Sequence, residues 1–291
     1  TFIKVSISLS EVSVVFKNVR FINCRLTDTY KLKTFQIYLS FSLTTWTGNS
    51  PQYNFLNLSN TTMIHLSVFR SLLVNTALNI SCEKCSLRFD KTTFSTSTFY
   101  DQQFKILSVS MKKSEQFYES FRDFKVSKNI IQLYNVMVIL RKTKPTQLSQ
   151  FLSVQLNSID LYVIKSTFVG ISQTVKIILG DTKSTISPYM LYVNMEGCKL
   201  IANHGGTRGI VHLHIPHRLS KFIRANLIIS NSLFYFNIVK HTGIIYVNND
   251  QPFINASFTI LNSSFSNNMA HFGVVIFMKS KLKKVGENVY K

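Results

Sequence analysis

Apolar and polar positions recur in one pattern in six segments of eight residues. The segments are residues 19–26, 80–87, 161–168, 193–200, 227–234 and 258–265. Their first and third positions are apolar, which is the period-two alternation of a half-buried strand. The phase then shifts at the fifth position, where Asn23, Gly197, Asn231 and Asn262 stand. Because Asn and Gly tolerate left-handed backbone conformations, this position predicts a bend inside each repeat.

The rest of the repeat predicts a solenoid. The sixth position is always small and the last is an apolar anchor, and weaker copies end at Met63, Met111 and Val138. The small residues are Cys24, Cys85, Ser166, Cys198, Ser232 and Ser263. The anchors are Leu26, Met63, Leu87, Met111, Val138, Phe168, Leu200, Phe234 and Phe265. A constant strand–bend–strand unit with connections of variable length is typical of solenoid coils, which bury their inward residues against neighbouring coils.

Asparagines form a second regular feature of the last coils. Asn203, Asn237 and Asn268 each stand three residues after an anchor, and we expect their amides to bond one another from coil to coil. Single glycines follow, and then the apolar runs 210–211, 244–245 and 274–276, which predict the next face of each coil.

These late segments resemble known repeats. Residues 234–237 (Phe-Tyr-Phe-Asn) and 265–268 (Phe-Ser-Asn-Asn), each followed by Gly and an aliphatic run, are similar to the Phe-x-x-Asn and Gly-Gly-Ala-aliphatic repeats of polymorphic outer-membrane autotransporters. They also resemble the pectin-lyase-like β-helix repeats of large animal surface proteins. The chain departs from the first pattern by its single Gly and by the lack of a following Ala. The resemblance implies a right-handed parallel β-helix with adhesive or structural roles, and it implies no catalytic residue.

The predicted fold is therefore all-β, a right-handed parallel β-helix solenoid of roughly nine coils over residues 1–291 as a single domain. The chain opens without Met and stops without a closing element, so we expect a fragment truncated at both ends. All five prolines lie where coils exceed the shortest repeat, and Pro suits loops because it cannot donate to a sheet ladder. Corner-loop insertions are predicted near residues 44–54, which include Trp46, and near 141–150, 180–189, 215–224 and 248–255.

The net charge of +20 points to an acidic partner or simply to a solvated basic surface. No RNA-recognition, helix-turn-helix or zinc-finger pattern accompanies the lysines, so nucleic acid is not favoured. Loops on a rigid scaffold are where function usually resides, although insertions are also merely tolerated at such corners. The candidate binding residues on these loops are Arg141, Lys142, Lys144, Arg218, Lys221 and Arg224. The expected partners are acidic polysaccharide or other surface proteins.

The cysteines and histidines have plain structural interpretations. Cys82 and Cys85 fall in repeat columns that are apolar and small elsewhere, so we expect both to be packed and unpaired. A disulfide between them, or a metal or redox site, is the alternative. His212 and His214 share one strand face and are expected to be a solvated pair, because a zinc site needs three or four ligands. No metal site and no cofactor is predicted.

Five sequons mark glycosylation candidates at Asn57, Asn60, Asn79, Asn255 and Asn262. Their number is what chance gives for this composition, but the repeat frame places them in the bend or facing outward, where acceptors must lie. No apolar run approaches the roughly 20 residues of a membrane helix, so no membrane-spanning segment is expected in these residues.

We expect a non-enzymatic extracellular or cell-surface scaffold, adhesive or glycan-binding through loops on one edge. The alternative is a polysaccharide lyase or hydrolase of the pectin-lyase-like fold. Glycoside hydrolysis needs two carboxyl groups roughly 5 to 9.5 Å apart. The chain has only 13 Asp and Glu, and the repeat frame places no two of them in adjoining columns of neighbouring coils.

Overall fold

A computed structural model shows the fold and describes most of the chain. The described residues are 1–9, 13–28, 34–48, 54–59, 61–82, 84–96, 104–111, 129–140, 149–156, 158–179, 189–205, 209–215, 223–249, 256–271 and 275–280. Within these ranges the chain forms 31 β-strands and no helix.

The strands are short, as expected where Val, Ile, Phe, Tyr and Thr alternate with polar residues. The first sixteen are β1 (Phe2–Ile3), β2 (Ser6–Leu9), β3 (Ser13–Lys17), β4 (Arg20–Ile22), β5 (Arg25–Asp28), β6 (Thr34–Ser42), β7 (Thr45–Thr47), β8 (Asn54–Leu58), β9 (Thr61–Phe69), β10 (Leu72–Val74), β11 (Ala77–Cys82), β12 (Lys84–Asp90), β13 (Thr93–Thr96), β14 (Phe104–Met111), β15 (Asn129–Tyr134) and β16 (Met137–Leu140). The others are β17 (Ser149–Leu156), β18 (Ser158–Ile164), β19 (Thr167–Val169), β20 (Gln173–Leu179), β21 (Tyr189–Glu196), β22 (Lys199–Ile201), β23 (Val211–Ile215), β24 (Ile223–Ser230), β25 (Leu233–Tyr235), β26 (Ile238–Val239), β27 (Ile245–Asn249), β28 (Ala256–Leu261), β29 (Ser264–Ser266), β30 (Met269–Ala270) and β31 (Ile276–Ser280).

Three long parallel sheets run along the molecule. Sheet A has ten strands in the order β1-β4-β7-β10-β13-β16-β19-β22-β25-β29, and sheet B has ten in the order β2-β5-β8-β11-β14-β17-β20-β23-β27-β31. Sheet C has nine, β3-β6-β9-β12-β15-β18-β21-β24-β28, and β26 pairs with β30 beside them. Each turn of the chain adds one strand to each sheet. The predicted all-β parallel β-helix is thereby confirmed.

The repeat frame is also confirmed in the later coils. Val193 of β21 pairs in register with Leu161 on one side and Leu227 on the other, and Leu227 pairs with Phe258. In sheet A the anchor Leu200 pairs with Phe168 and Phe234. Residues 211, 245 and 276, from the predicted apolar runs, stack as the next face in sheet B. Inward side chains of equivalent repeat positions therefore form continuous columns.

In the early coils the predicted frame is wrong. Leu26 and Met111 lie in strands of sheet B, and Met63 and Leu87 lie in sheet C. The residues that continue the anchor column of sheet A are Phe21, Trp46, Leu73 and Phe94. All three sheets alternate apolar and polar residues, so a strand of one sheet imitates a strand of another in sequence.

Trp46 corrects a second expectation. It does not sit in a corner loop but in β7, where it is completely buried. Its ring stacks on Phe55 with centroids 4.2 Å apart and meets the edge of Phe41 at 4.6 Å. A residue of this size in the anchor column fills the interior of the early coils, because aromatic side chains bury more apolar surface than aliphatic ones.

Most of the described corners are marked by a left-handed residue. At the first corner, between sheets C and A, the residues with positive φ are Asn18, Leu43, Arg70, Lys91, Asn135, Lys165, Gly197, Asn231 and Asn262. At the second corner, between sheets A and B, they are Lys4, Asn23, Asn75, Gly170, Ala202, Phe236 and Asn267. One such residue redirects the chain without a loop, which keeps the corners tight and the coils in register.

A ladder of side chains lies inside each corner. Inside the first corner, the hydroxyl of Ser232 accepts the backbone N–H of Cys198 at 3.0 Å, and Ser263 accepts that of Ser232 at 3.2 Å. Inside the second corner, the predicted asparagine ladder is confirmed: Nδ2 of Asn203 donates to Oδ1 of Asn237 at 3.0 Å, and Asn237 donates to Asn268 at 2.9 Å. These bonds tie the last coils to one another.

Candidate functional site

The outside of the first corner carries a candidate site among the described residues. It is a shallow surface pocket of about 380 Å³ that spans three successive coils. We call it the corner pocket, and its outward-facing lining is Leu43, Thr45, Arg70, Leu72, Lys91 and Thr93. Leu43, Arg70 and Lys91 are the left-handed residues of their coils, whereas the other three begin strands β7, β10 and β13 of sheet A.

Two cations of the pocket lining lie near the ring of Phe69, which ends β9 in sheet C and is not itself part of the lining. Cζ of Arg70 lies 5.0 Å from the centroid of the Phe69 ring, and Nζ of Lys91 lies 6.0 Å from the same centroid. Both side chains are exposed, and among the described residues neither is in an ion pair. Cation–π attraction to Phe69 holds the two positive groups near one another despite their repulsion.

The neighbouring charges on sheet C are already engaged. Arg88 lies 3.6 Å from a carboxylate oxygen of Asp90 and 5.3 Å from the centroid of Tyr134. Asp90 therefore makes its ion pair with Arg88 and not with Arg70 or Lys91. The corner pocket is left with a net positive rim.

Basic residues extend beyond the pocket along the same corner. The exposed members, which we call the basic row, are Arg20, Arg70, Lys91, Lys165 and Lys199. They occupy either the left-handed position or the first residue of a sheet A strand. Neighbouring strands of a sheet are about 4.8 Å apart, so the coil repeat sets the axial spacing of these charges.

The six basic loop residues of the sequence hypothesis cannot be placed relative to one another, because their side chains lie outside the described residues. Arg141, Lys142, Lys144, Arg218 and Lys221 lie outside them. Arg224 belongs to β24, where its backbone pairs with Met190, and its side chain is also outside the description. That these six residues form a binding site stays a prediction.

The sequons divide into three kinds. Asn60 and Asn255 lie outside the described residues. Asn57 and Asn79 sit in adjacent strands of sheet B, where Nδ2 of Asn79 donates to Oδ1 of Asn57 at 2.9 Å. Asn262 is an exposed left-handed residue of the first corner. Of the three described candidates, Asn262 presents its amide most openly.

The histidine pair differs from expectation. His212 is only 3% exposed, and its ring stacks on Tyr246 of the next coil at 5.0 Å. His214 is half-buried, with Nδ1 2.7 Å from the side-chain amide of Asn248. The expectation of a solvated pair is wrong for His212, because the rows of outward side chains on neighbouring strands cover one another. In the described part of the chain, no three His, Cys, Asp or Glu residues come close enough to hold a metal ion.

The cysteines contain the clearest correction. Cys82 ends β11 in sheet B and Cys85 lies in β12 of sheet C, and the two are joined in a disulfide with Cα atoms 6.0 Å apart. Both side chains point into the core from the two sides of one corner. The sequence frame placed them in two separate columns of one repeat, on either side of its bend, and so kept them apart.

Cys24 and Cys198 are free and buried, as expected. Burial raises the pKa of the Cys198 thiol to about 11, although hydrogen bonds to the backbone of Ser166 and Glu196 and to Ser232 oppose the shift. The thiol stays protonated at neutral pH. Because the thiolate is the reactive form, Cys198 is a packing residue and not a nucleophile.

The described carboxylates are scattered over the coils. Asp28 in sheet B accepts the backbone N–H of Ser59 at 2.8 Å, and Asp90, Asp160 and Glu196 lie in three different strands of sheet C. Within the described ranges, none of them pairs in register with another carboxylate. This part of the chain shows no arrangement of the kind that glycoside hydrolysis requires.

Comparison with known proteins does not assign the chain to a family. No protein-family model, no curated protein and no solved structure matches the chain. Within the described residues, no helix is long and apolar enough to cross a membrane.

Sequence reasoning missed the corner pocket, although a signal for it was present. Arg70-Ser71 and Lys91-Thr92 each precede an anchor by the same spacing as Lys165-Ser166 precedes Phe168. A frame anchored on Leu73 and Phe94 places both cations in the bend column. The later repeats have Asn or Gly at the bend, and Arg and Lys are not typical bend residues, so the sequence frame did not assign Arg70 and Lys91 to this column.

Proposed function

We propose that the chain is a non-enzymatic scaffold of the extracellular space or cell surface that binds acidic polysaccharide along its outside. The observation that carries the proposal is the basic row, in which the coil repeat holds exposed cations in line along the solenoid axis. A linear polyanion can follow such a row and contact several coils at once. The net charge of +20 adds long-range attraction.

The disulfide and the scattered carboxylates of the described residues fit the same function. Disulfides persist in oxidising environments, so the Cys82–Cys85 bond supports a location outside the cytosol. The repeats that the chain resembles belong to surface proteins with adhesive or structural roles. A scaffold needs no convergent titratable groups, whereas a lyase or hydrolase would need them in a cleft.

Salt titration of binding to a heparin-like polymer tests this function. Fields of exposed charges are screened over about 8 Å at physiological ionic strength, so affinity should fall steeply as salt rises. Neutralising the five cations of the basic row should weaken binding more than neutralising an equal number of other lysines. The six loop residues Arg141, Lys142, Lys144, Arg218, Lys221 and Arg224 are neutralised as a separate set against six lysines. The matched set is Lys31, Lys33, Lys112, Lys113, Lys125 and Lys128.

Three outcomes decide against parts of the proposal. A loss from the basic row that is no larger than the loss from the matched lysines would mean that net charge alone acts and that the row is no site. The same result for the loop set would mean that the loop edge is no site. Release of shortened oligosaccharides from the bound polymer would replace the scaffold by the alternative enzyme.

A further inference from the structure

We propose that the corner pocket binds one acidic sugar unit, a pyranose that carries a carboxylate or a sulfate ester. This inference rests on the proposed function, since it names where a polysaccharide is recognised and by which of its groups. The pocket offers three kinds of contact side by side: an apolar platform, two outward hydroxyls and a pair of cations.

The apolar platform is formed by two leucines of adjacent coils. Leu43 is 46% exposed and Leu72 is 38% exposed, so neither is needed inside the core. Leu43 also holds a left-handed backbone with φ of 53°, a conformation that disfavours a Leu side chain. Two exposed leucines at one corner give the ring C–H face of a sugar a surface on which to pack.

The hydroxyls stand on either side of Leu72. Leu72 pairs in register with Thr45 on one side and with Thr93 on the other, so each threonine lies about one strand spacing, ~4.8 Å, away. The deeper hydroxyls are already engaged, because Thr44 and Ser71 contact each other at 2.9 Å. The outward threonines are the ones available for sugar hydroxyls.

The cations select the charge of the ligand. Arg70 and Lys91 flank the Phe69 ring, and Asp90 is occupied by Arg88. An anionic group between Arg70 and Lys91 would relieve their repulsion and accept charge-assisted hydrogen bonds from both. A carboxylate and a sulfate ester share this chemistry.

The same geometry disfavours a bare anion or a nucleobase. Inorganic sulfate would use the cations but leave the leucine platform and the threonines without a partner. A nucleobase needs an open aromatic face for stacking, and here the Phe69 ring is flanked by the two cations. A polar ring with an apolar face and one negative group uses every part of the pocket.

Methyl NMR on the whole chain, read at the Leu72 and Thr93 methyl groups, tests the pocket directly. The probes are a glucuronate-containing disaccharide, a disaccharide with one sulfate ester, a neutral disaccharide and inorganic sulfate. Saturable shifts should appear with one or both acidic sugars and not with the neutral one. The two acidic probes show whether the carboxylate or the sulfate ester is preferred.

Variants separate the pocket from general charge. R70Q/K91Q should weaken acidic disaccharide binding about tenfold or more, as expected for the loss of charge-assisted hydrogen bonds. The control K165Q/K199Q removes the same charge from the same corner outside the pocket and should change affinity about twofold or less. Leu72→Ser leaves the charge unchanged and should weaken binding about threefold to fivefold. Thermal melts confirm that each variant is folded.

Each outcome is decisive for one level of the proposal. Equal losses of disaccharide affinity in R70Q/K91Q and in K165Q/K199Q would overturn the sugar pocket. So would inorganic sulfate that shifts the methyl signals as strongly as the sugars do, if Leu72→Ser also has no effect on binding. The polymer assay is independent of this test. If R70Q/K91Q and K165Q/K199Q weaken polymer binding equally, the pocket proposal is rejected and the scaffold function is retained. If the disaccharides give saturable shifts but the polymer does not bind, the pocket proposal is retained and the scaffold function is rejected.

Discussion

The two corners that flank sheet A turn the chain by the same backbone device, yet their side chains do different work. Among the described residues, both corners place residues at positive φ, in nine coils at the first corner and in seven at the second. Inside the second corner, completely buried Asn203 and Asn237 bond from coil to coil. Inside the first corner the ladder is made of smaller hydroxyl and thiol groups, while long basic and apolar side chains stand outside. In the last three coils the second corner therefore locks the coils together, whereas in the three coils of the corner pocket the first corner presents a surface.

The difference follows from the number of bonds each side chain can make. Oδ1 of Asn237 accepts both the backbone and the side-chain N–H of Asn203, and its Nδ2 donates to the carbonyl of Leu200 and to Asn268. The hydroxyl of Ser232 accepts one N–H and donates to the carbonyl of Ser230 at 2.8 Å. An amide therefore satisfies twice as many buried groups as a hydroxyl in the same setting.

The largest expected effect comes from breaking the asparagine ladder. Asn237→Ala strands several buried groups on both neighbouring coils, and each unsatisfied buried group costs about 1–3 kcal/mol. We expect a loss of about 4 kcal/mol in the free energy of unfolding, measured by urea denaturation. Asn194→Ala, at an outward position of sheet C, is the control and should change stability by about 0.5 kcal/mol or less. Similar losses from both variants would show that the ladder adds nothing special.

The thiol inside the first corner should make stability depend on pH. The pKa of Cys198 rises from 9.0 to about 11 in the folded chain, so above pH 9 the unfolded chain loses this proton and the folded chain keeps it. The unfolded state then binds fewer protons, and stability falls as pH rises from 9 to 11. At about 1.36 kcal/mol for each pKa unit, the fall approaches about 3 kcal/mol.

Cys198→Ser isolates this dependence. Serine occupies the same place as Ser166 and Ser232 in neighbouring coils, so the variant should fold. The difference in unfolding free energy between the two proteins should change between pH 8.5 and pH 11, in favour of the serine variant. A constant difference over that range would show that the thiol titrates alike in both states.

A smaller loss is expected from the hydroxyl ladder. Ser232→Ala removes the acceptor of the buried Cys198 N–H, which should cost about 1.5 kcal/mol. Ser232→Thr keeps the hydroxyl, and threonine already fills this column at Thr44 and Thr92, so the Thr variant should lie within about 0.5 kcal/mol of the parent. If Ala and Thr destabilise equally, volume and not the hydrogen bond sets the cost.

The two halves of the solenoid also differ in how well sequence reasoning places them. From Phe168 onward the bend residues are mostly Gly or Asn, a small residue follows, and the register agrees with prediction. In the early coils Leu43, Arg70 and Lys91 take the bend, and these residue types carry no turn signal. The period-two alternation of the three sheets then allowed a wrong frame, which misplaced Trp46 and separated Cys82 from Cys85.

The site was less predictable than the fold for a related reason. A repeat frame shows which residues face outward but not which outward residues meet across three coils. Phe69, Arg70 and Lys91 come together because the left-handed corner positions of neighbouring coils are adjacent. That adjacency depends on the true register, which the early coils conceal.

The smallest expected effect tests the backbone device that both corners share. Gly197 has φ of 62°, and a Cβ added there would lie 3.4 Å from the flexible side chain of Lys165, so space is not limiting. Gly197→Ala should still cost about 1 kcal/mol, because the left-handed conformation disfavours Ala. Gly197→Asn, with the residue type found at Asn231 and Asn262, should cost less although Asn is larger. A greater loss of stability for Asn than for Ala would mean that crowding and not φ sets the cost. The expected order implies that Arg70 and Lys91, which have the same left-handed backbone, hold their corners at a cost to stability.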